Sequence, residues 1–448
     1  MRDLVVQSFE LWRHNRWPRE RIMSYSLGLF RKTLLHAFRN SAFYREFYTS
    51  NGLDEGRLSN CDPQDIPIID KDLVRDNFYR IATRPVDPAA VEKALLTGDL
   101  LTKIGDLTLV HSSGSTGKPC NFLYGPDAVT RIEANFARLS LAGRRTITFA
   151  DFPVRVLYVA SVGSGYSATA IALEGVEKYR ARKLILNVKD PWDDWPDLIQ
   201  RFKPNWVGGY PSCVRLLADL QDEGCIDIHP KKVIVGGEPL TKETRSYLEQ
   251  VLGADVIDYY ACTESMALGA GLPGNEGIYL FDDLNFFEVD ELGRLIITPL
   301  YNNAFPLIRY RLQDVVEGFR THQTGPLPYT HIDKVAGRSE DMMWFQQGDG
   351  KWDFLHPLFL DDLSAEGLRA YQFIQTDSTS FVLKVVKDPE APEDLEQRLQ
   401  EQVNSFLARK KLGHLSYSIE FADALPIDPT TGKVKLVLKS PTAPLSKP

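Results

Sequence analysis

Cysteine is scarce in this chain: five in 448 residues, at Cys61, Cys120, Cys213, Cys225 and Cys262, with no C-x-x-C pair and one left over. That pattern excludes a zinc knuckle and a disulfide framework and points to a reducing, cytoplasmic setting. Long apolar runs are missing as well. The longest uncharged stretch, Val156 to Leu173, is interrupted by Gly163, Ser164 and Gly165, so it reads as a buried strand, a loop and a helix start, and no membrane span is expected. The N-terminal "MRDLVVQSFELWRHNRW" is charged throughout and lacks the apolar centre of a signal peptide. There is no surplus of positive charge either, with 52 Lys and Arg against 60 Asp and Glu and a formal net charge of −8. A nucleic-acid partner, which needs clustered cations on phosphates, is therefore not expected, although local loops can still bind small anions. No G-x-S-x-G elbow occurs, and His111, His331 and His356 show neither metal spacing nor a paired nucleophile. A hydrolase is disfavoured on both counts.

What is present is a chain with 43% hydrophobic residues, too long for one ordinary core and sufficient for two or three domains. Leu27, Phe30, Leu34 and Phe38 recur at spacings of three and four, which predicts a helix ending near Asn40 and Ser41. From about Arg155 the β-rich runs "VRVLYVA", "KLILNV", "WVGG", "KKVIVGGE" and "ADVIDYY" alternate with helical patterns such as "PSCVRLLADLQDE" and "TKETRSYLEQVL". That alternation predicts an α/β fold with a mostly parallel sheet covered by helices. Ligands gather at the carboxyl ends of such strands, which puts Gly209 and Tyr210, Gly237 and Glu238, and Tyr259 to Glu264 in one crevice. Near "KVAGRSEDMMWF" the character changes. A Gly-Asp-Gly hairpin at 348 to 350, strands in "YQFIQT", "SFVLKVV", "SYSIEF" and "KVKLVL", and a helix with Leu395, Leu399, Val403 and Phe406 on one face predict a small α+β domain.

"HSSGSTGKPC", residues 111 to 120, invites comparison with a phosphate-binding loop. A Walker A loop has four residues between its glycines and Ser or Thr after its Lys. Here only Ser115 and Thr116 separate Gly114 from Gly117, and Pro119 follows Lys118. The stretch is then either a solvated turn or a mobile loop whose N–H groups cradle anionic oxygens.

Five further segments follow it in order: "VGGEPLT", "DYYACTE", "PLIRYRLQD", "AGRSED" and "DPTTGKVK". With "HAFRNSAFYREFY" and "IPIIDKDLVRDNF" near the N-terminus, the set resembles the adenylate-forming superfamily of acyl-CoA synthetases, adenylation domains and luciferases, in particular its phenylacetate-CoA ligase branch. The resemblance implies a large N-terminal α/β domain, 1–338, that binds ATP and the acid, and a small mobile C-terminal α+β domain, 339–448. It implies an ATP- and Mg2+-dependent activation of a small carboxylic acid to an acyl-adenylate, then transfer to a thiol, with coenzyme A as cosubstrate. Residues Ser112, Ser113, Gly114, Ser115, Thr116, Gly117 and Lys118 match the family's phosphate loop. Thr263 matches the α-phosphate donor and Glu264 the magnesium ligand, a hard oxygen suited to that ion. Gly236, Gly237, Glu238 and Pro239 match the adenine-side segment, with Tyr259 or Tyr260 offering an aromatic face. Asp314 matches the ribose-gripping carboxylate and Arg338 the arginine near ribose and phosphate. Glu340 matches the hinge, where aspartate is commoner. Lys433 matches the lysine that bridges the attacking carboxylate and the α-phosphate, where its charge offsets the repulsion of two anions.

Each residue also has a plain reading. Glu264 alone reads as the cap of a helix beginning at Ser265, the glycines as a strand-to-helix turn, Arg338 and Glu340 as a solvated linker, and Lys433 as a surface turn. Tyr166, Tyr210, Gly237, Ala261 and Ala267 are expected in the acid pocket, whose small and aromatic residues suit a compact, mostly apolar or aromatic acid. Two alternatives stand beside the coenzyme A ligase: transfer to an acyl carrier protein or an amine, and a catalytically silent nucleotide-binding member. The stretch "WFQQGDGKWDFLHPLFL" departs from the apolar, glycine-containing sequence usual near the thiol channel and keeps the first of these open.

Overall fold

The apolar spacing around Phe30 and Leu34 produces a helix over Arg19–Asn40 in the computed structural model, which describes residues 2–97, 102–111, 120–160, 181–187, 194–338, 343–346, 352–355, 363, 365–409, 412–426, 434–440 and 443. Its buried stripe runs through Ile22, Phe30, Leu34 and Ala37, while Leu27 and Phe38 lie half-buried at its margins. The helix stops because Ser41 turns to extended backbone, and its hydroxyl accepts the Tyr44 N–H at 3.4 Å to cap the next helix, Ala42–Ser50.

Two compact units make up the chain. The first comprises Met1–Val289, Ile296–Leu312 and Gly318–Asp333; the second comprises Asp290–Leu295, Gln313–Glu317 and Lys334–Pro448. In the first unit, β1 (Thr102–Ile104), β2 (Leu107–His111) and β3 (Asn121–Tyr124) form an antiparallel sheet. Next come β4 (Arg155–Ala160), β5 (Arg182–Asn187), β6 (Trp206–Gly209), β7 (Lys232–Gly236), β8 (Asp255–Tyr260), β9 (Gly269–Gly271) and β10 (Ile278–Leu280). They are followed by β11 (Asn285–Val289), β12 (Arg294–Pro299), β13 (Tyr310–Glu317) and β14 (Thr330–Ile332).

The large sheet has eight strands in the order β14-β10-β9-β8-β7-β6-β4-β5. From β5 across to β8 every pairing is parallel, as the alternating pattern predicts, whereas β8, β9, β10 and β14 pair antiparallel. Helices Trp195–Phe202, Pro211–Asp222 and Lys242–Leu252 intervene between the parallel strands. Ile199, Val214, Leu217, Leu248 and Leu252 share one core with Leu157, Val207, Val233, Val235 and Val256 of the sheet. Helix Lys242–Leu252 shows why the boundaries fall where they do. Thr241 accepts the Thr244 N–H at 3.1 Å at its start, and Gly253 takes a left-handed φ of 60° at its end.

In the second unit, residues 314–317 of β13 pair antiparallel with β15 (Lys334–Arg338). Strands β16 (Met343–Gln346) and β17 (Trp352–Leu355) pair antiparallel, with Gln346 opposite Trp352, where the Gly-Asp-Gly hairpin is expected; its turn residues lie outside the described residues. A four-stranded sheet follows, built from β18 (Leu368–Gln375), β19 (Ser380–Lys387), β20 (Ser416–Phe421) and β21 (Val437–Lys439) in the order β20-β19-β18-β21. Helix Leu395–Arg409 buries Leu395, Leu399, Val403 and Phe406, the four residues whose spacing predicts that face, against Phe373, Phe381, Leu383 and Val385.

Candidate active site

The parallel pairing sets the carboxyl ends of β6, β7 and β8 side by side, with Gly209 opposite Val235 and Gly236 opposite Tyr259. The glycines permit that spacing. A Cβ at Gly209 would collide with the Val159 carbonyl, and one at Gly236 with the Tyr259 carbonyl. Gly237 takes φ 80°, which favours glycine. Glu238 then reaches across to the next strand's exit, its carboxylate accepting the Ser212 N–H at 3.1 Å in the first turn of helix Pro211–Asp222. Tyr210, the residue before that helix, is only 5% exposed and belongs to the sheet's core.

Tyr259 and Tyr260 part company because successive strand residues face opposite ways. Tyr259 is buried, its ring 4.7 Å from that of Phe136. Its hydroxyl donates to the Met266 carbonyl at 2.6 Å and accepts from Asn135 Nδ2 at 3.2 Å. Tyr260 is half-buried and faces the other side of the sheet. Ala261 is half-buried and Ala267 fully buried.

Beyond Tyr260 the chain forms a loop that leads into β9 at Gly269. No helix begins at Ser265, so the reading of Glu264 as a helix cap is corrected: the segment is tied down by side chains. Ser265 Oγ donates to Asn285 Oδ1 at 2.7 Å and lies 3.0 Å from Tyr301 Oη, while Asn285 Nδ2 donates to the Ala267 carbonyl at 2.7 Å. Tyr124 Oη on β3 donates to the Thr263 carbonyl at 2.8 Å. Tyr310 Oη on β13 donates to Glu264 Oε1 at 3.0 Å. The Tyr310 ring meets Phe122 of β3 edge-on, centroids 6.5 Å apart. Burial pushes the nearby Cys120 thiol up to about 12, and the Glu264 carboxylate adds to the shift. The thiol therefore stays protonated near neutrality.

"IPIIDKD" and "PLIRYRLQD" also come together. Ile69 N–H donates to the Arg309 carbonyl at 3.1 Å and Arg311 N–H to the Ile69 carbonyl at 2.9 Å, bracketing Tyr310. Arg309, at φ 49°, forks onto Glu288 with two contacts of 2.9 Å and donates to the Gln64 and Ile66 carbonyls. In the second unit Asp314 and Arg338 are register partners on β13 and β15.

Residues Ser112 to Lys118, Tyr166, Glu340 and Lys433 lie outside the described residues. The ends of the phosphate-loop stretch are nevertheless held, since His111 on β2 pairs with Asn121 on β3. Among the described residues, no three or more His, Cys, Asp or Glu side chains form a metal-holding group. Nor is any helix among them long and apolar enough to cross a membrane. Tyr124, Phe122 and Tyr310 around Glu264 escape a reading by motif, because single aromatics in strands are ordinary core residues.

No protein-family model matches the chain. It is 26% identical to a phenylacetate-coenzyme A ligase of Pseudomonas putida over 348 residues, 72% of each chain. With the enzyme of the same name from Aromatoleum evansii it shares 24% over 449 residues, 90% of this chain and 91% of that one. The crystal structure of 2-hydroxyisobutyryl-CoA ligase in its postadenylation state superposes with a TM-score of 0.71 at 19% identity, covering 96% of this chain and 92% of that one, and shares its fold. The ordered motifs, the segments that the fold brings together and the sequence relatives agree that this chain is similar to the adenylate-forming superfamily, in particular to its phenylacetate-CoA ligase branch.

Proposed function

We propose that this chain is an ATP- and Mg2+-dependent acid-thiol ligase that converts a compact, mostly apolar or aromatic carboxylic acid into its acyl-adenylate and then into a coenzyme A thioester. The observation that carries the reading is the meeting of two motif-bearing segments, "DYYACTE" and "PLIRYRLQD", at Glu264 through Tyr310 at 3.0 Å, beside the contact of Tyr124 on β3 with the Thr263 carbonyl at 2.8 Å. The similarity to phenylacetate-coenzyme A ligases supports the choice of acid and of thiol.

In the first half-reaction a carboxylate oxygen bonds to the α-phosphorus of ATP, the bond from that phosphorus to the bridging oxygen breaks, and pyrophosphate leaves. In the second, the thiol sulfur bonds to the acyl carbon, the acyl–oxygen bond to AMP breaks, and the thiol proton passes to solvent. Two anions approach one another only in the first, so that step needs fixed positive charge and oriented donors. Our assignment gives the 112–118 loop the β- and γ-phosphates, the Thr263 hydroxyl the α-phosphate, and Asp314 with Arg338 the ribose side. Gly236, Gly237, Glu238, Pro239 and Tyr260 take the adenine. Lys433, on the small C-terminal domain that turns about Glu340, takes the attacking carboxylate. Glu264 fits Mg2+ as a single hard carboxylate, because this ion keeps several waters and shares itself with phosphates. When bound, it would screen the phosphate charge.

Pyrophosphate release measured over a panel of aryl and alkyl carboxylic acids, with and without coenzyme A, tests the reading, with mass analysis for acyl-CoA. We expect release with an aryl acid and conversion to the thioester when coenzyme A is added. Adenylate that accumulates with coenzyme A yet loads a carrier protein would overturn the thiol assignment, and no release with any acid would overturn the ligase. Lys433→Ala should slow adenylation by on the order of 10²–10³-fold while sparing thioester formation from a supplied acyl-adenylate. Equal loss in both steps would remove Lys433 from its role.

A further inference from the structure

We infer that Tyr310 is a positioning residue for Glu264, holding the carboxylate in one rotamer and leaving it the acceptor capacity with which it would hold a metal ion. The inference rests on the proposed metal role of Glu264. A glutamate has three side-chain torsions, and an anionic oxygen that must meet a small, geometrically demanding cation gains from a fixed second partner. Tyr310 can be that partner because it is itself immobilised. It is 2% exposed, its ring abuts Phe122, and the strand is pinned on both sides by Ile69, whose N–H donates to the Arg309 carbonyl and whose carbonyl accepts the Arg311 N–H. Its hydroxyl donates to Oε1 only, at 3.0 Å, which leaves the carboxylate acceptor capacity for an ion.

Nothing local in sequence produces this contact, since 46 residues separate the pair. A merely structural tyrosine makes a different prediction, and the molecule supplies a matched control. Tyr44 is also fully buried, and its hydroxyl donates to the Pro306 carbonyl at 3.0 Å and accepts the Ile308 N–H at 3.1 Å, in the segment leading to the same strand.

The test follows the rise in melting temperature that ATP produces across a Mg2+ series, against ATP with a chelator, in the full-length protein and in Glu264→Gln, Tyr310→Phe and Tyr44→Phe. The Phe substitutions keep the ring and its packing. We expect Glu264→Gln to abolish the Mg2+-dependent increment. Tyr310→Phe should raise the Mg2+ concentration for half the increment roughly tenfold and leave the response to ATP with chelator unchanged. Tyr44→Phe should lower the basal melting temperature and leave the Mg2+ midpoint where it is. A Tyr310→Phe protein that behaves like Tyr44→Phe overturns the positioning role while the role of Glu264 stands. An unchanged midpoint and increment in Glu264→Gln overturns both.

Discussion

Lys232 has no exposed side-chain surface, yet it lies 2.8 Å from Asp255 Oδ2, across the β7–β8 pair. It also donates to the Ala142 carbonyl, and the Arg145 N–H donates to the same Asp255 oxygen at 2.6 Å. Burial works against the Asp255 charge, but the Lys232 ammonium and this N–H outweigh it and hold the carboxyl below its ordinary value. A depressed carboxyl pKa contributes stability above the unfolded value near 3.8 and loses it as pH falls through the folded one. Lys232→Met would leave Asp255 buried without its counter-charge, at a cost of about 3–5 kcal/mol near neutrality. Because the stranded carboxyl then protonates more readily, the deficit should shrink as pH falls, which denaturant titrations from pH 7 to pH 4 would check. A deficit that is constant with pH would mean that lost packing, not charge, is responsible. Neither Lys232 nor Tyr310 is legible in sequence, since each looks like any residue of a strand and meets its partner only through the fold. Glu264 is legible because its neighbours spell a motif, although the helix expected after it is absent: Ser265 spends its hydroxyl on Asn285 and Tyr301 instead of capping a first turn.

At the scale of elements, the legible parts are those whose burial is periodic. Strands β4, β6, β7 and β8 lie inside predicted β-rich runs, and helices Pro211–Asp222 and Lys242–Leu252 between them carry one apolar face each. The antiparallel extension of the sheet was not readable, because β9, β10 and β14 are three residues long and buried on both faces, with no alternation to detect. The glycine at the end of β7 is an element-scale constraint that its motif conceals. Gly236→Ala would drive a methyl group into the Tyr259 carbonyl, so β7 and β8 must separate where Tyr260 and Glu238 leave the sheet. We expect at least 1–3 kcal/mol of destabilisation, on the order found for overpacked cores, together with loss of pyrophosphate release. A variant that keeps wild-type stability and turnover would show that the glycine is there for neither spacing nor site.

At the scale of the whole molecule, the change of character near "KVAGRSEDMMWF" is legible as a change from alternating α/β units to a short-stranded α+β pattern. The two short pieces that the second unit takes from earlier in the chain, Asp290–Leu295 and Gln313–Glu317, are not. Both are strand-forming or turn sequences that read equally well in either unit, and only their long-range pairing, such as Asp314 with Arg338, assigns them. The hydrophobic clusters follow the same division. One centres on Val207, Val233 and Val256 of the large sheet and another on Phe373, Phe381 and Leu399 of the second unit, with no residue in common. Separate cores imply separate cooperativity. Leu399 is fully buried in the second cluster, so Leu399→Ala should cost that unit about 2–5 kcal/mol and lower its transition by roughly 10 °C or more. Leu217, equally buried in the first cluster, is the counterpart: Leu217→Ala should move the other transition and spare this one. Differential scanning calorimetry of the full-length chain and both variants reads the two transitions directly. If each substitution shifts a single common transition by the same amount, the units unfold as one, and the independence drawn from their separate cores is wrong.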